Sequence, residues 1–255
     1  MFTTGRRGKP IKEYTHAVSL GYSCNIALDL ERFGLRTQSS PFDWVITNDF
    51  SKVIKLIEDD FLDFLDDKNI YQYRGLYNYY VNTKYDVHFF HDFDSYHSYY
   101  KQVDKIFNKY TRRIERFYLS IKSPTLFFRY IKDQEEYDYI LENMENILKV
   151  LKQHNNENDI IFICNDEIEL KTLKAYKVKR DKNDPICRKP FDNNKDLLNF
   201  VSSDLINPEV RKRNIIFYNK KRRKEILKKI VFYKAFRKLS FFLIKPYIHD
   251  KTTDF

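Results

Sequence analysis

The spacing of hydrophobic and polar positions changes several times along the chain, and each change marks an element. Residues 16–20 form a short apolar run that ends at Gly21, the pattern of a buried strand. Apolar residues at 26, 27, 30 and 33 then follow helical spacing, and Gly34 supplies a stop, so residues 24–33 predict a helix. Residues 39–44 read as a turn-rich loop. Asp49 caps a second expected helix reaching about Leu65, on apolar positions 50, 53, 54, 57, 61, 62 and 65. Between 70 and 93, tyrosines and β-branched residues interrupted by Gly75 and Asn82 predict two or three antiparallel strands. The last of these runs out into a polar corner at His91, Asp92 and Asp94.

A long helix is expected from about Tyr96 to Ile121, a strand over 125–131, a helix over 135–153 and a strand over 159–164. Strand, helix, strand in succession is a right-handed crossover and requires at least part of a parallel sheet. Beyond Asn165 the signals weaken to a polar loop over about 180–194 and a short helix near Leu197. No repeat occurs, and no credible linker precedes Asn207. The expected class is α/β: one domain with a mixed sheet over residues 14–206, carrying a nucleophilic cysteine at a strand-to-helix junction. A basic amphipathic segment occupies 207–255.

Charge sharpens that division. The chain carries a formal +10, yet residues 209–245 hold 14 Lys/Arg against two Glu, so the body is nearly neutral. Residues 220–244 contain no Gly or Pro, and Pro246 is the expected stop. Helical spacing puts Ile226, Leu227, Ile230, Val231, Tyr233 and Phe236 on one broad face flanked by Lys224, Lys228, Lys229 and Arg237. That pattern suits a helix lying in the interface of an anionic membrane. The run at 241–244, Phe-Phe-Leu-Ile, argues against nucleic acid as the partner, because a phosphate-tracking helix gains nothing from a thick apolar stripe. Packing on the protein's own body is the other reading of this face. Three cysteines without a CxxC pair form neither a disulfide framework nor a usual zinc site. The first twenty residues hold no long apolar run, so no secretory signal is expected, and no window would span a bilayer. The expectation is therefore a cytoplasmic protein, peripheral on the inner face of the membrane. There is no P-loop and no dinucleotide fingerprint, which counts against ATP or NAD chemistry; no metal and no cofactor are expected, short of the coenzyme A considered below.

Cys24 lies where the first strand passes into the first helix. Orphan backbone N–H groups and the positive end of the helix dipole favour a thiolate there; the ordinary alternative is a small buried residue at a helix start. His91, beside the loop at the strand end, can take and return the thiol proton. His88, three residues earlier, points to the opposite face of the strand. The carboxylate that would orient the imidazole is open among Asp92, Asp94 and Asp43, Asp94 being also an N-cap candidate for the next helix. Cys164 reads as a buried inert thiol, Cys187 as an exposed one in a charged loop. Acidic runs such as 58–60 and 133–136 read as solvated helix faces or helix starts.

Several of these residues, taken in order, resemble the motifs of the putative papain-like cysteine peptidase family of bacteria, a domain of unknown function. They are Ser19 to Cys24 with Ala27 and Leu30, Leu35 and Arg36, Ser40 to Trp44, Phe89 to Phe93, and Leu126 to Arg129. The resemblance covers about residues 15–165. It implies a papain-like cysteine peptidase or hydrolase, a Cys24–His91 pair working through a thioester, and a motif that also takes in Asp92, Asp43 and Arg129. Asp92 is then a catalytic candidate beside His91, and Asp43 and Arg129 are substrate-binding candidates, Arg129 by pairing with a carboxylate or phosphate. A following Asn or Asp is available at Asn165 or Asp166. The N–H of Cys24 and the Tyr22–Ser23 loop are the oxyanion donors. Similar domains in capsule and lipopolysaccharide synthesis imply an alternative, an acyltransferase on a glycan precursor using coenzyme A. A non-catalytic assembly domain of a membrane-bound glycan synthesis complex is the third reading.

Overall fold

The computed structural model describes residues 12–74, 79–94, 96–179 and 187–248, with side chains in the final helix described to Lys229 and at Phe232. The chain divides into two compact units, Met1–Asn214 and Ile215–Phe255.

Within the first unit the chain runs β1 (His16–Ser19), α1 (Cys24–Arg32), β2 (Ile46–Thr47), α2 (Phe50–Glu58), β3 (Ile70–Tyr73), β4 (Tyr79–Asn82) and β5 (Val87–Phe89). It continues as α3 (Tyr99–Ile121), β6 (Thr125–Ile131), α4 (Gln134–Lys152), β7 (Asp159–Asn165), β8 (Tyr176–Val178) and α5 (Lys195–Ser202). The strands form two sheets, ordered β1-β6-β7-β8 and β2-β5-β4-β3. The first is parallel throughout and the second antiparallel. This is the mixed α/β class expected.

Every residue of β6 is buried, which requires cover on both faces of the parallel sheet. Alternation divides the side chains accordingly. Leu126, Phe128 and Tyr130 share one cluster with Ile161 and Ile163, closed by Ile26 and Leu30 of α1 and Leu197 and Val201 of α5. Phe127 and Ile131 share the other with Ile160 and Phe162, closed by residues of α2, α3 and α4 such as Ile54, Phe117 and Ile140. Helix α1 stops where the glycine signal put it. Leu35 N–H donates to the carbonyl of Leu30 and Gly34 N–H to that of Glu31, with Gly34 at φ +70, the paired bonds of a Schellman cap.

Two boundaries and one burial differ from expectation. Helix α2 ends at Glu58, not near Leu65, because Asp60, Phe61 and Asp63 all take positive φ and break the ladder. Phe61 and Phe64 still reach the core from these turns while Leu62 is exposed, which is why their spacing imitated a helix. Helix α3 starts at Tyr99. Asp94 is not its N-cap; its carboxylate accepts the N–H groups of Tyr96 and His97 in a turn just before it. Cys187 is buried, not exposed, and its carbonyl accepts a bond from the side chain of Asn25.

The final helix, α6 (Pro208–Ile248), begins earlier than its charge pattern suggested, with Asn207 as cap: its side chain accepts from the N–H groups of Glu209 and Val210. It ends two residues beyond Pro246, the expected stop. Among its described side chains Ile216, Phe217, Ile226, Leu227 and Phe232 are exposed. The remainder of the expected apolar stripe, at 230, 231, 233, 236 and 241–244, lies outside the described side chains. No helix among the described residues is long and apolar enough to cross a membrane.

Candidate active site

Strand β1 delivers the chain to the carboxyl edge of the parallel sheet, where ligand sites of α/β proteins gather. There it must turn sharply into α1. Gly21 and Tyr22 accomplish this with φ of +85 and +63, and Cys24 emerges as the first helical residue. Only glycine fits at 21, because a Cβ there would sit 2.6 Å from Oγ1 of Thr47. Tyr22 is held in its unfavourable conformation from both sides: its N–H donates to Thr47 Oγ1 at 2.9 Å, and Thr47 N–H donates to its carbonyl at 3.1 Å.

Arg129 ties this turn to the core. Its Nη1 donates to the carbonyl of Leu20 (3.1 Å) and to Thr47 Oγ1 (2.7 Å), and its Nη2 to the Thr47 carbonyl (3.0 Å). Its Nε donates to Glu136 Oε1 at 2.7 Å, and the guanidinium lies over the ring of Phe50. Glu136 is available because it occupies the first turn of α4. Asp133 caps the helix by accepting from Glu136 N–H, and Glu136 Oε2 accepts in return from Lys132 N–H, a reciprocal capping arrangement. Arg129 and Glu136 are both buried, so Arg129 is a positioning residue with no open face toward a substrate. The acidic run at 133–136 is indeed a helix start, but Glu136 is not on a solvated face.

A pocket of about 480 Å³ opens beside the cysteine. Tyr22, Ser23, Cys24 and Asn25 form one wall, Trp44 to Ile46 and Asn48 another, and Phe90 and His91 a third, with Tyr130 entering from β6. Cys24 and His91, the two residues chosen for their chemistry, thus share one pocket. No hydrogen bond joins them among the described residues. Cys24 Sγ is directed at Oδ1 of Asn25 (3.9 Å), and His91 stands exposed in the turn after β5. His88 is engaged elsewhere. Its Nε2 lies 2.7 Å from Asp86 Oδ1 and 3.1 Å from Asn48 Nδ2, and its ring packs on Tyr79.

None of the carboxylates considered for orienting His91 does so. Asp92 turns into the protein, where Lys109 and the hydroxyl of Tyr110 hold it. Asp94 binds His97. Asp166 is exposed, and Asn165 accepts from Glu167 N–H; neither lines the pocket. Asp43 is fully buried, paired with Arg36 at 2.5 Å and accepting from Ser40 N–H, so it also has no access to a substrate. Asp43 and Arg129, the expected substrate-binding pair, are both internal: Arg129 is held by partners around the turn, and Asp43 through its Oδ2 by Arg36 and Ser40, while its buried Oδ1 has no hydrogen-bond partner among the described residues. Among the described residues no cluster of His, Cys, Asp or Glu is arranged to hold a metal.

The electrostatics of Cys24 differ from the expectation of a resting thiolate. Burial pushes the thiol above its ordinary value, and its own backbone N–H only partly opposes this. Cys164, deeper in β7, is pushed up to about 11 by burial. Alkylation of Cys24 by iodoacetamide should therefore keep accelerating as pH rises through and beyond the ordinary thiol range near 8.5. A rate that levels off below pH 8 would show instead that the thiolate already exists at rest.

Sequence reasoning missed Asn48, Tyr130 and the role of Thr47, and took Phe90 only as part of a motif. Asn48 and Tyr130 carry no motif of their own; Thr47 sits in a two-residue strand too short to show a period.

A family model described as "Putative papain-like cysteine peptidase" matches residues 15–167. An uncharacterised protein of Acanthamoeba polyphaga mimivirus is 31% identical over 120 residues, covering 40% of this chain and 54% of that protein. The chain therefore spans about half the length of the curated relative it matches. No solved structure matches it.

Proposed function

We propose that this chain, which belongs to the putative papain-like cysteine peptidase family, carries out acyl transfer through a thioester on Cys24 with His91 as general base. The observation supporting this is the placement of both side chains on one pocket at the carboxyl edge of the parallel sheet. Because burial keeps the proton on sulfur, the thiol needs a base during attack. His91 is the one histidine among the described residues lining the pocket, and imidazole is the commonest general base.

In the first half-reaction His91 accepts the Sγ proton as sulfur adds to the substrate carbonyl. The N–H groups at the start of α1, which Ser23 leaves uncapped by its side chain, face the developing oxyanion. Collapse expels the leaving group, which takes the proton from the imidazolium, and leaves the acyl-Cys24 thioester. In the second half, His91 takes a proton from water or another nucleophile, the new acyl bond forms and the C–S bond breaks. Sulfur regains its proton. Hydrolysis is the peptidase case of this cycle, and transfer to a hydroxyl is the acyltransferase case.

Treatment with p-nitrophenyl acetate and peptide mass spectrometry tests the assignment. Acetyl should appear on Cys24, turn over with time, and be absent at that position in Cys24→Ala. Acetylation confined to lysines, with Cys24 unmodified, would overturn the reading.

A further inference from the structure

We propose that the pocket beside Cys24 selects an uncharged aromatic group, carried next to the reacting carbonyl. This rests on the reading that Cys24 is the nucleophile, but it concerns what the pocket binds. Among the described residues lining the pocket, none is Lys, Arg, Asp or Glu. Two arginines that touch its surroundings are committed: Arg129 to Glu136 and the Thr47 turn, and Arg36 to Glu31 and Asp43. An anionic substrate group entering here would lose water and meet no Lys or Arg side chain among the described lining residues, which weakens its binding relative to an uncharged group.

What the wall offers instead is flat apolar surface. The rings of Tyr22 and Tyr130 lie near-parallel, 5.6 Å apart between centroids and 18° between planes. Trp44 and Phe90 contribute two further rings, and Val45 and Ile46 the aliphatic part. Polar groups are few, Ser23, Asn25 and Asn48 beside the two reactive residues, as in ligand pockets that bind through apolar area and orient through a few hydrogen bonds. A volume of about 480 Å³ lies at the lower end of the ligand-pocket range. It has ample room for a ring with its linking carbonyl. Arg36, 5.5 Å from the Trp44 ring, fixes that indole by a cation–π contact so that it is presented already oriented.

Trp44 is the sole tryptophan of the chain, which makes its fluorescence a reporter of this pocket alone. Titration of the wild-type protein with benzamide, benzoate and acetamide, none of which acylates a thiol, separates binding from chemistry. Benzamide should shift the Trp44 emission saturably, with benzoate and acetamide at least about tenfold weaker, and Tyr130→Leu should weaken benzamide by a similar factor. Benzoate binding as well as benzamide, acetamide binding as well as benzamide, or no saturable change with any of the three would overturn the proposal. Bound benzamide should also slow alkylation of Cys24. Saturable benzamide binding alongside an unreactive Cys24 would sink the nucleophile assignment and leave the pocket's selectivity standing.

Discussion

Arg129→Met is expected to lower the free energy of unfolding by about 3–5 kcal/mol, the cost of stranding one partner of a buried ion pair. Glu136 would keep its burial and its bonds to the backbone but lose its counter-charge, and the carbonyls of Leu20 and Thr47 would lose their donors. Against a typical total of about 5–15 kcal/mol, that is enough to leave the variant marginal at 37 °C. Methionine is the informative replacement because it fills much of the volume without charge. The companion change Glu136→Gln should recover only part of the loss when combined with it, since the two carbonyls stay unsatisfied. Urea unfolding monitored by circular dichroism measures this. A single-variant cost below about 1 kcal/mol, the range of ordinary exposed pairs, would show that the network is not the support described.

The second large effect concerns rate. His91→Ala should slow formation of acyl-Cys24 at neutral pH by about 10²–10⁴-fold, the usual contribution of a positioned base. Stability should change little, within about 0.5 kcal/mol, because His91 is exposed and holds no hydrogen bond among the described residues. The deficit should shrink as pH rises, since hydroxide then ionises the thiol without help. Stopped-flow release of p-nitrophenol across a pH series distinguishes the cases. A deficit constant at all pH values would place His91 in some other role, and no deficit would remove it from the mechanism.

Much of the fold was legible because its signals are local. The Gly34 stop, the all-apolar β6 and the crossover from β6 through α4 to β7 each need only a dozen or so neighbouring residues to be seen. Cys24 and His91, joined in the sequence only by the family resemblance, line one pocket. What escaped notice depends on contacts between distant segments. Arg129 is indistinguishable in sequence from a strand-end cation, and only its three partners, on the β1 turn, β2 and α4, reveal it as internal. Asp92 entered as a candidate through the family motif; the chain turns it onto Lys109 and Tyr110 of α3. Cys187 sits in a polar stretch whose composition implied exposure, yet its segment packs under α1.

The turn bearing Tyr22 has no regular secondary structure, yet its backbone is bonded on both sides to Thr47, which Arg129 in turn holds. Such a segment has little conformational freedom left to lose. Loops that order only around a ligand subtract that entropy from its affinity, and here the subtraction has already been made during folding. The wall next to the cysteine is therefore in place before any substrate arrives, and binding strength at this site reflects fit to a fixed shape.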